Sequence, residues 1–247
     1  MKIGLFILLS FTCGSSCHKV NLKQIQAMPP PVSFPADSTV PYRKTNFTYL
    51  ALGDSYTIGQ GVPGTENYPS QVITRLKKEN LQGQLKIIAT SGWTTDQLKA
   101  GILDAATDGS LQSSYDIVSI LIGVNNQYQG EPAADYKRGF EDLLKKAIQL
   151  SGNSAGHVIV LSIPDWGVTP FATGRDRSMI AEEIDAYNAI NKQVSQDYGA
   201  YYIDITPGTR EVVNDASLLA GDGLHYSGKE YALWAEKVTD VVKAMLQ

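Results

Sequence analysis

The sequence predicts an α/β fold built on an open, doubly wound parallel sheet, and three observations carry that expectation. Short apolar runs of about five or six residues recur along the chain, several of them β-branched throughout. Longer segments with a 3.6-residue apolar period separate them. Neither an internal repeat nor a second domain interrupts the alternation. Strands buried on both faces read as continuous apolar runs because helices cover both sides of a parallel sheet, and strands alternating with helices build such a sheet.

The first residues stand apart from this pattern. Met1-Lys2 gives a basic start, and residues 3–11 form an apolar run of signal-peptide length, too short to span a bilayer as a helix. Gly14, Ser15 and Ser16 then lead into Cys17, which resembles the processing site of a bacterial lipoprotein, with Cys17 as the lipid-bearing residue and Cys13 as the second choice. No Leu stands three residues before Cys17, and an ordinary cleaved signal is the alternative. Both cysteines lie in this stretch, so the body can hold no internal disulfide. Residues 1–17 are therefore expected to be a leader that exports the chain to the cell envelope, anchored there by lipid on a periplasmic or outer-membrane face. Residues 18–46 contain Pro29, Pro30, Pro31, Pro35 and Pro41, cannot form a helix, and read as an extended spacer. The folded domain is expected over 47–247.

Within it the expected strands are 47–52, 85–89, 117–122, 158–163 and 201–205. Helical faces are marked by Tyr136, Phe140, Leu143, Ala147 and Ile148, then by Ile184, Tyr187, Ile190, Val194 and Tyr198, and finally by Tyr231, Trp234, Val238, Val241 and Met245. With 247 residues, 43% of them hydrophobic, the chain can bury one sizeable core. A net charge of −4 without a run of Lys or Arg argues against a nucleic-acid partner.

Ligands in such sheets bind beyond the carboxyl ends of the strands. The first run is followed by Gly53-Asp54-Ser55-Tyr56-Thr57-Ile58-Gly59, whose glycines allow a tight turn that exposes the Ser55 hydroxyl. It is neither a Gly-x-Ser-x-Gly elbow nor a phosphate loop, and a helix cap uses the same residues. Gly92 follows the second run, where a backbone N–H can approach a ligand closely or simply turn ahead of a Thr-capped helix. Asn125 follows the third; its amide suits a developing oxyanion or a plain turn. Of three histidines, His18 lies at the leader and His157 at the amino end of the fourth run, which leaves His225 placed to act as a base. Asp222 could orient its ring, with Asp165 as a competitor, although a helix cap and a turn residue would account for His225 and Asp222 too. Ser55, Gly92, Asn125 and the Asp222/His225 pair all fall at one sheet edge.

These blocks, Gly-Asp-Ser, Gly92, Gly-x-Asn and Asp-x-x-His, occur in the order found in the SGNH hydrolase superfamily of GDSL-type lipases and esterases, which the chain resembles over about 47–247. The resemblance implies a flavodoxin-like three-layer α/β/α fold with no metal or organic cofactor. It assigns Ser55 as nucleophile, His225 as base and Asp222 as its orienter. The Ser55 and Gly92 N–H groups and the Asn125 side chain would form the oxyanion hole. Two positions depart from the common pattern: Asn126, where Asp is frequent, and Tyr226, where Pro is frequent.

The segments 61–68, 126–130 and 164–172 are expected to face substrate, with Trp93, Asn126, Asp165 and Trp166 as candidate contacts. Without a long apolar lid, short acyl esters such as O-acetylated glycans are the expected substrates. A lysophospholipase or thioesterase, an acyltransferase using the same triad, and a silent glycan-binding module are the alternatives.

Overall fold

The structure, a computed structural model, describes residues 45–247. The leader, Cys13, Cys17, His18 and the spacer up to residue 44 lie outside the described residues. Five strands form a single parallel sheet: β1 (Asn46–Gly53), β2 (Gln82–Ala89), β3 (Ile117–Leu121), β4 (Val158–Leu161) and β5 (Tyr201–Ile203). Their spatial order is β2-β1-β3-β4-β5, the doubly wound arrangement with its topological switch between β1 and β3.

All five expected strands are present, and their limits differ for physical reasons. β1 takes in Asn46, so the sheet begins one residue inside the expected spacer. β2 starts three residues before its apolar run because Gln82, Gly83 and Gln84 pair along the full length of β1, and ladder bonding needs no apolar side chain on an edge strand. β4 and β5 stop short of residues 163 and 205. There the Ser162 hydroxyl accepts the N–H groups of Ile205 (2.8 Å) and Thr206 (3.1 Å), so a side chain takes over from the ladder.

Among the described residues eight α-helices accompany the strands: α1 (Ser55–Ile58), α2 (Tyr68–Lys78), α3 (Thr95–Thr107), α4 (Val124–Tyr128), α5 (Ala133–Leu150), α6 (Arg177–Tyr198), α7 (Thr206–Arg210) and α8 (Gly228–Met245). The chain runs from β1 outward to β2 and then back across β3, β4 and β5. Right-handed crossovers therefore send α2 to one face and α3, α5 and α6 to the other. α8 returns to pack on α2, and α5 packs between α3 and α6, which completes the three layers. The α2 helix, which apolar period alone did not reveal, is fixed locally: Asn67 caps the Ser70 N–H at 2.9 Å and Pro69 sits in the first turn. A Thr94/Gln97 capping box starts α3.

The core runs along both faces of the sheet. Phe140 of α5 is fully buried and stacks on Tyr136 at 5.9 Å. The Tyr136 hydroxyl donates to the Ile122 carbonyl at 3.1 Å, tying α5 to the end of β3. Phe140→Ala should cost about 3–5 kcal/mol, read as a lower urea midpoint at unchanged slope. A loss below about 1 kcal/mol would show that this layer does not bear on the sheet as described.

Candidate active site

β1 ends at Gly53, where an added methyl would overlap the Thr57 side chain and the Leu121 carbonyl of β3. Only glycine lets the two strand ends come this close. The chain then turns into α1, which is one turn long. Asp54 caps it by accepting the Tyr56 N–H at 3.0 Å, and Gly59 closes it in the left-handed region at φ 78°. Ser55 thus stands at the first helical position, where a backbone N–H has no partner within the helix. Burial pushes the Asp54 carboxyl up to about 7, against the pull of the Tyr56 N–H, and its Oδ2 has no hydrogen-bond partner among the described residues.

His225 sits in a tight loop ahead of α8. An antiparallel bridge pairs Leu219 with Tyr226, and the Ala220 N–H donates to the His225 carbonyl at 2.8 Å. Asp222 fills the loop: Oδ1 accepts the N–H groups of Leu224 (3.0 Å) and His225 (2.9 Å), while Oδ2 lies 2.7 Å from His225 Nδ1. Burial alone would raise the Asp222 carboxyl. The Leu224 N–H, the imidazole and the His225 N–H outweigh it and hold the carboxyl below its ordinary value. A carboxylate on Nδ1 fixes the ring orientation and leaves Nε2 for a reacting group. The ring packs against Tyr56, the residue after Ser55, at 5.1 Å and 53°.

The third component comes from β2 and β3. Gly92 adopts φ 82° with open space around it, so glycine is required by conformation rather than by crowding. Asn125 lies in the first turn of α4, behind Gly123 at φ 128°. Its Nδ2 donates to the Trp93 carbonyl at 2.9 Å, which holds the amide beside the Gly92 turn and leaves its second N–H for a ligand.

Ser55, Gly92, Asn125 and His225 line one cavity of about 330 Å³. Gln60 and Ser91, hydrogen-bonded to each other, stand on the same polar side. The apolar wall includes Tyr128, Trp166 and Phe171, with Tyr128 and Trp166 meeting edge-on at 5.3 Å. Trp166 alone of the four expected contact residues lines the cavity. The Trp93 indole packs over Gly101 of α3. Asn126 is buried, accepting the Thr95 N–H at 3.1 Å and donating to Thr95 Oγ1 at 2.9 Å. Asp165 is 1% exposed: Oδ2 is 2.9 Å from Arg210 Nε and Oδ1 accepts the Gly167 N–H at 2.8 Å. Asp165 therefore does not compete for the imidazole. Each of these three is consumed by packing or pairing behind the wall.

The segment 61–68 lines no part of the cavity, although Gly61 abuts the Asp222 carboxylate. Tyr128 and Phe171 fall within the expected segments 126–130 and 164–172, but nothing in a single sequence marks them, or Gln60 and Ser91, as cavity residues. His157, away from the site, donates from Nδ1 to the Asp116 carbonyl at 2.9 Å. Among the described residues, no group of His, Cys, Asp and Glu side chains could hold a metal ion, and no helix is long and apolar enough to cross a membrane.

A serine on a strand-to-helix turn, a carboxylate-paired imidazole and converging N–H donors define the site of an α/β serine hydrolase. Residues 51–233 match the GDSL-like Lipase/Acylhydrolase family, and the chain belongs to it, as a carboxylic ester hydrolase. No curated protein matches the chain. Several solved structures share the fold. A lipase/acylhydrolase from Enterococcus faecalis is 17% identical, with 81% of this chain and 97% of that one aligned at a TM-score of 0.64. An acetylxylan esterase from Geobacillus stearothermophilus is 19% identical, covering 81% and 96% at 0.62. A psychrotrophic esterase from Pseudoalteromonas sp. is 20% identical, covering 81% and 98% at 0.59.

The raised Asp54 carboxyl has a consequence for stability. Between about pH 4 and pH 7 the folded state keeps a proton that the unfolded chain has released, so this group lowers stability as pH rises through that window. Asp54→Asn should flatten the fall in melting temperature between pH 5 and pH 8. An unchanged pH slope in the variant would remove Asp54 as its source.

Proposed function

We propose that Ser55 is the nucleophile of this hydrolase, that His225 is its general base and acid, and that Asp222 orients the imidazole. His225 Nε2 takes the hydroxyl proton as Ser55 Oγ attacks the ester carbonyl carbon. The oxyanion that forms is met by the N–H groups of Ser55 and Gly92 and the free N–H of Asn125. His225 then returns the proton to the departing alkoxide, leaving an acyl-Ser55 ester. A water molecule, deprotonated by the same nitrogen, releases the acid and restores the serine. The observation that carries this reading is the Asp222–His225 pair opening onto the cavity that holds Ser55, Gly92 and Asn125.

The substrates we propose are short acyl esters, O-acetylated glycans foremost. A cavity of about 330 Å³ must hold parts of both halves of the ester, and its aromatic wall offers faces to a sugar ring. One protein of the same fold is described as an acetylxylan esterase, which favours the same class. Attachment to the cell envelope through Cys17 would place the domain beside such glycans.

A fluorophosphonate probe should add once, to Ser55, and the adduct should be absent from Ser55→Ala, as read by mass spectrometry. No adduct on the folded protein would overturn the assignment. Asn125→Ala should lower kcat by roughly 10²–10³ with little change in KM, because the donor acts on the oxyanion rather than on the bound ester. Across 4-nitrophenyl esters kcat/KM should fall with each added acyl carbon, and a preference for long chains would refute the short-acyl reading.

A further inference from the structure

Beside two of the rings that line the cavity stands a cation with no ion-pair partner among the described residues. Arg175, in the turn before α6, holds its guanidinium carbon 5.1 Å from the centre of the Tyr128 ring and 5.4 Å from that of Trp166. Its Nη2 donates to the Tyr128 hydroxyl at 3.1 Å. A guanidinium has five N–H donors, and this is the one side-chain hydrogen bond it makes among the described residues. The side chain is exposed, and no carboxylate among the described residues lies within ion-pair distance of it. The adjacent Asp176 is occupied elsewhere: its Oδ1 accepts the N–H groups of Ser178 and Met179, both at 3.1 Å, as the cap of α6. Arg177 is likewise without an ion pair among the described residues and donates to the Thr169 carbonyl at 3.1 Å.

Two rings that line the reaction cavity thus support a planar cation whose remaining donors are unused. The chain around it is acidic, at −4 overall. Contact with two aromatic rings and the bond to Tyr128 hold the guanidinium in place, leaving its other N–H donors for an anion.

We infer that Arg175 forms an anion-recognising subsite and that the preferred substrate is an acyl ester of an acidic glycan, its carboxylate or phosphate bound by the Arg175 guanidinium while the sugar lies against the exposed rings of Tyr128 and Phe171. This rests on the ester-hydrolase reading of the cavity and narrows its substrate class. Binding acts on the ground and transition states alike, so it lowers KM more than it raises kcat.

The test measures acetate release by the purified protein from acetylated glucose, acetylated glucuronic acid and acetylated glucose 6-phosphate. The latter two present the same anionic requirement from different sources. The expected result is a kcat/KM roughly tenfold higher for at least one acidic sugar than for glucose, mainly through KM and shrinking as salt is raised, in keeping with a charge-assisted pair. Whichever acid is preferred identifies the source of the charge. In Arg175→Gln the ratio of acidic to neutral turnover should fall toward one, while Arg175→Lys keeps part of it. Taking the ratio within each variant separates charge recognition from general damage to the aromatic wall. Hydrolysis of all three at equal rates, or a preference that survives Arg175→Gln, overturns the anion subsite and leaves the hydrolase reading standing. No acetate release from any sugar, nor any turnover of 4-nitrophenyl acetate, overturns both.

Discussion

The carboxyl ends of β1 and β3 lie so close that nothing larger than hydrogen fits on Gly53, which faces the Leu121 carbonyl across the ladder. From that approach the rest of the site takes its dimensions. The Ser55 loop leaves one strand and the Asn125 loop leaves its neighbour. Because the strand order reverses between them, their connections depart to opposite faces and leave a crevice rather than a packed seam. Asn125 then reaches the Gly92 turn through the Trp93 carbonyl, and three separate loops converge without a strand having to bend.

A second set of contacts ties the His225 loop to the aromatic wall. Arg210 pairs with the buried Asp165 and with Asp185. Asp165 in turn caps the Trp166 turn through Gly167 and accepts the Tyr226 hydroxyl at its carbonyl, at 2.9 Å. Tyr226 follows His225 and packs between Tyr56 and Trp234. A tyrosine at this position, where proline is common in the family, supplies a hydroxyl that proline lacks. Asn126 plays the corresponding part on the other side, joining α4 to the start of α3 through Thr95. Both departures from the common sequence pattern thus serve as fasteners behind the reacting groups.

Much of this was legible in the sequence because strands buried on both faces leave uninterrupted apolar text, and because the glycines at 59 and 92 answer to backbone conformations that few residues adopt, while that at 53 answers to the close approach of two strand ends. The five strands and the order of their chemistry-bearing loops could be read from spacing, whereas spacing left Asp222 with Asp165 as a competitor and the family resemblance singled out the Asp222–His225 pair. The α2 helix was hidden, since Asn67 and Pro69 define it by capping more than by period. The fates of Trp93, Asn126 and Asp165 were hidden for a different reason. Which way a loop side chain turns depends on partners far away in sequence, such as Arg210 for Asp165, and one chain gives no hint of that pairing. Tyr128, Phe171 and Arg175 come together only through the fold.

His225 lies in the loop before α8, and α8 packs against α2, the helix that follows the Ser55 turn and its α1. With His225 as the proposed base, a nascent chain that has made Ser55, the sheet and the cavity donors would still lack that base until the loop before α8 has been made. On that reading a chain cut short before His225 would not turn over an ester, and activity would report that the Ser55 loop and the His225 loop have met.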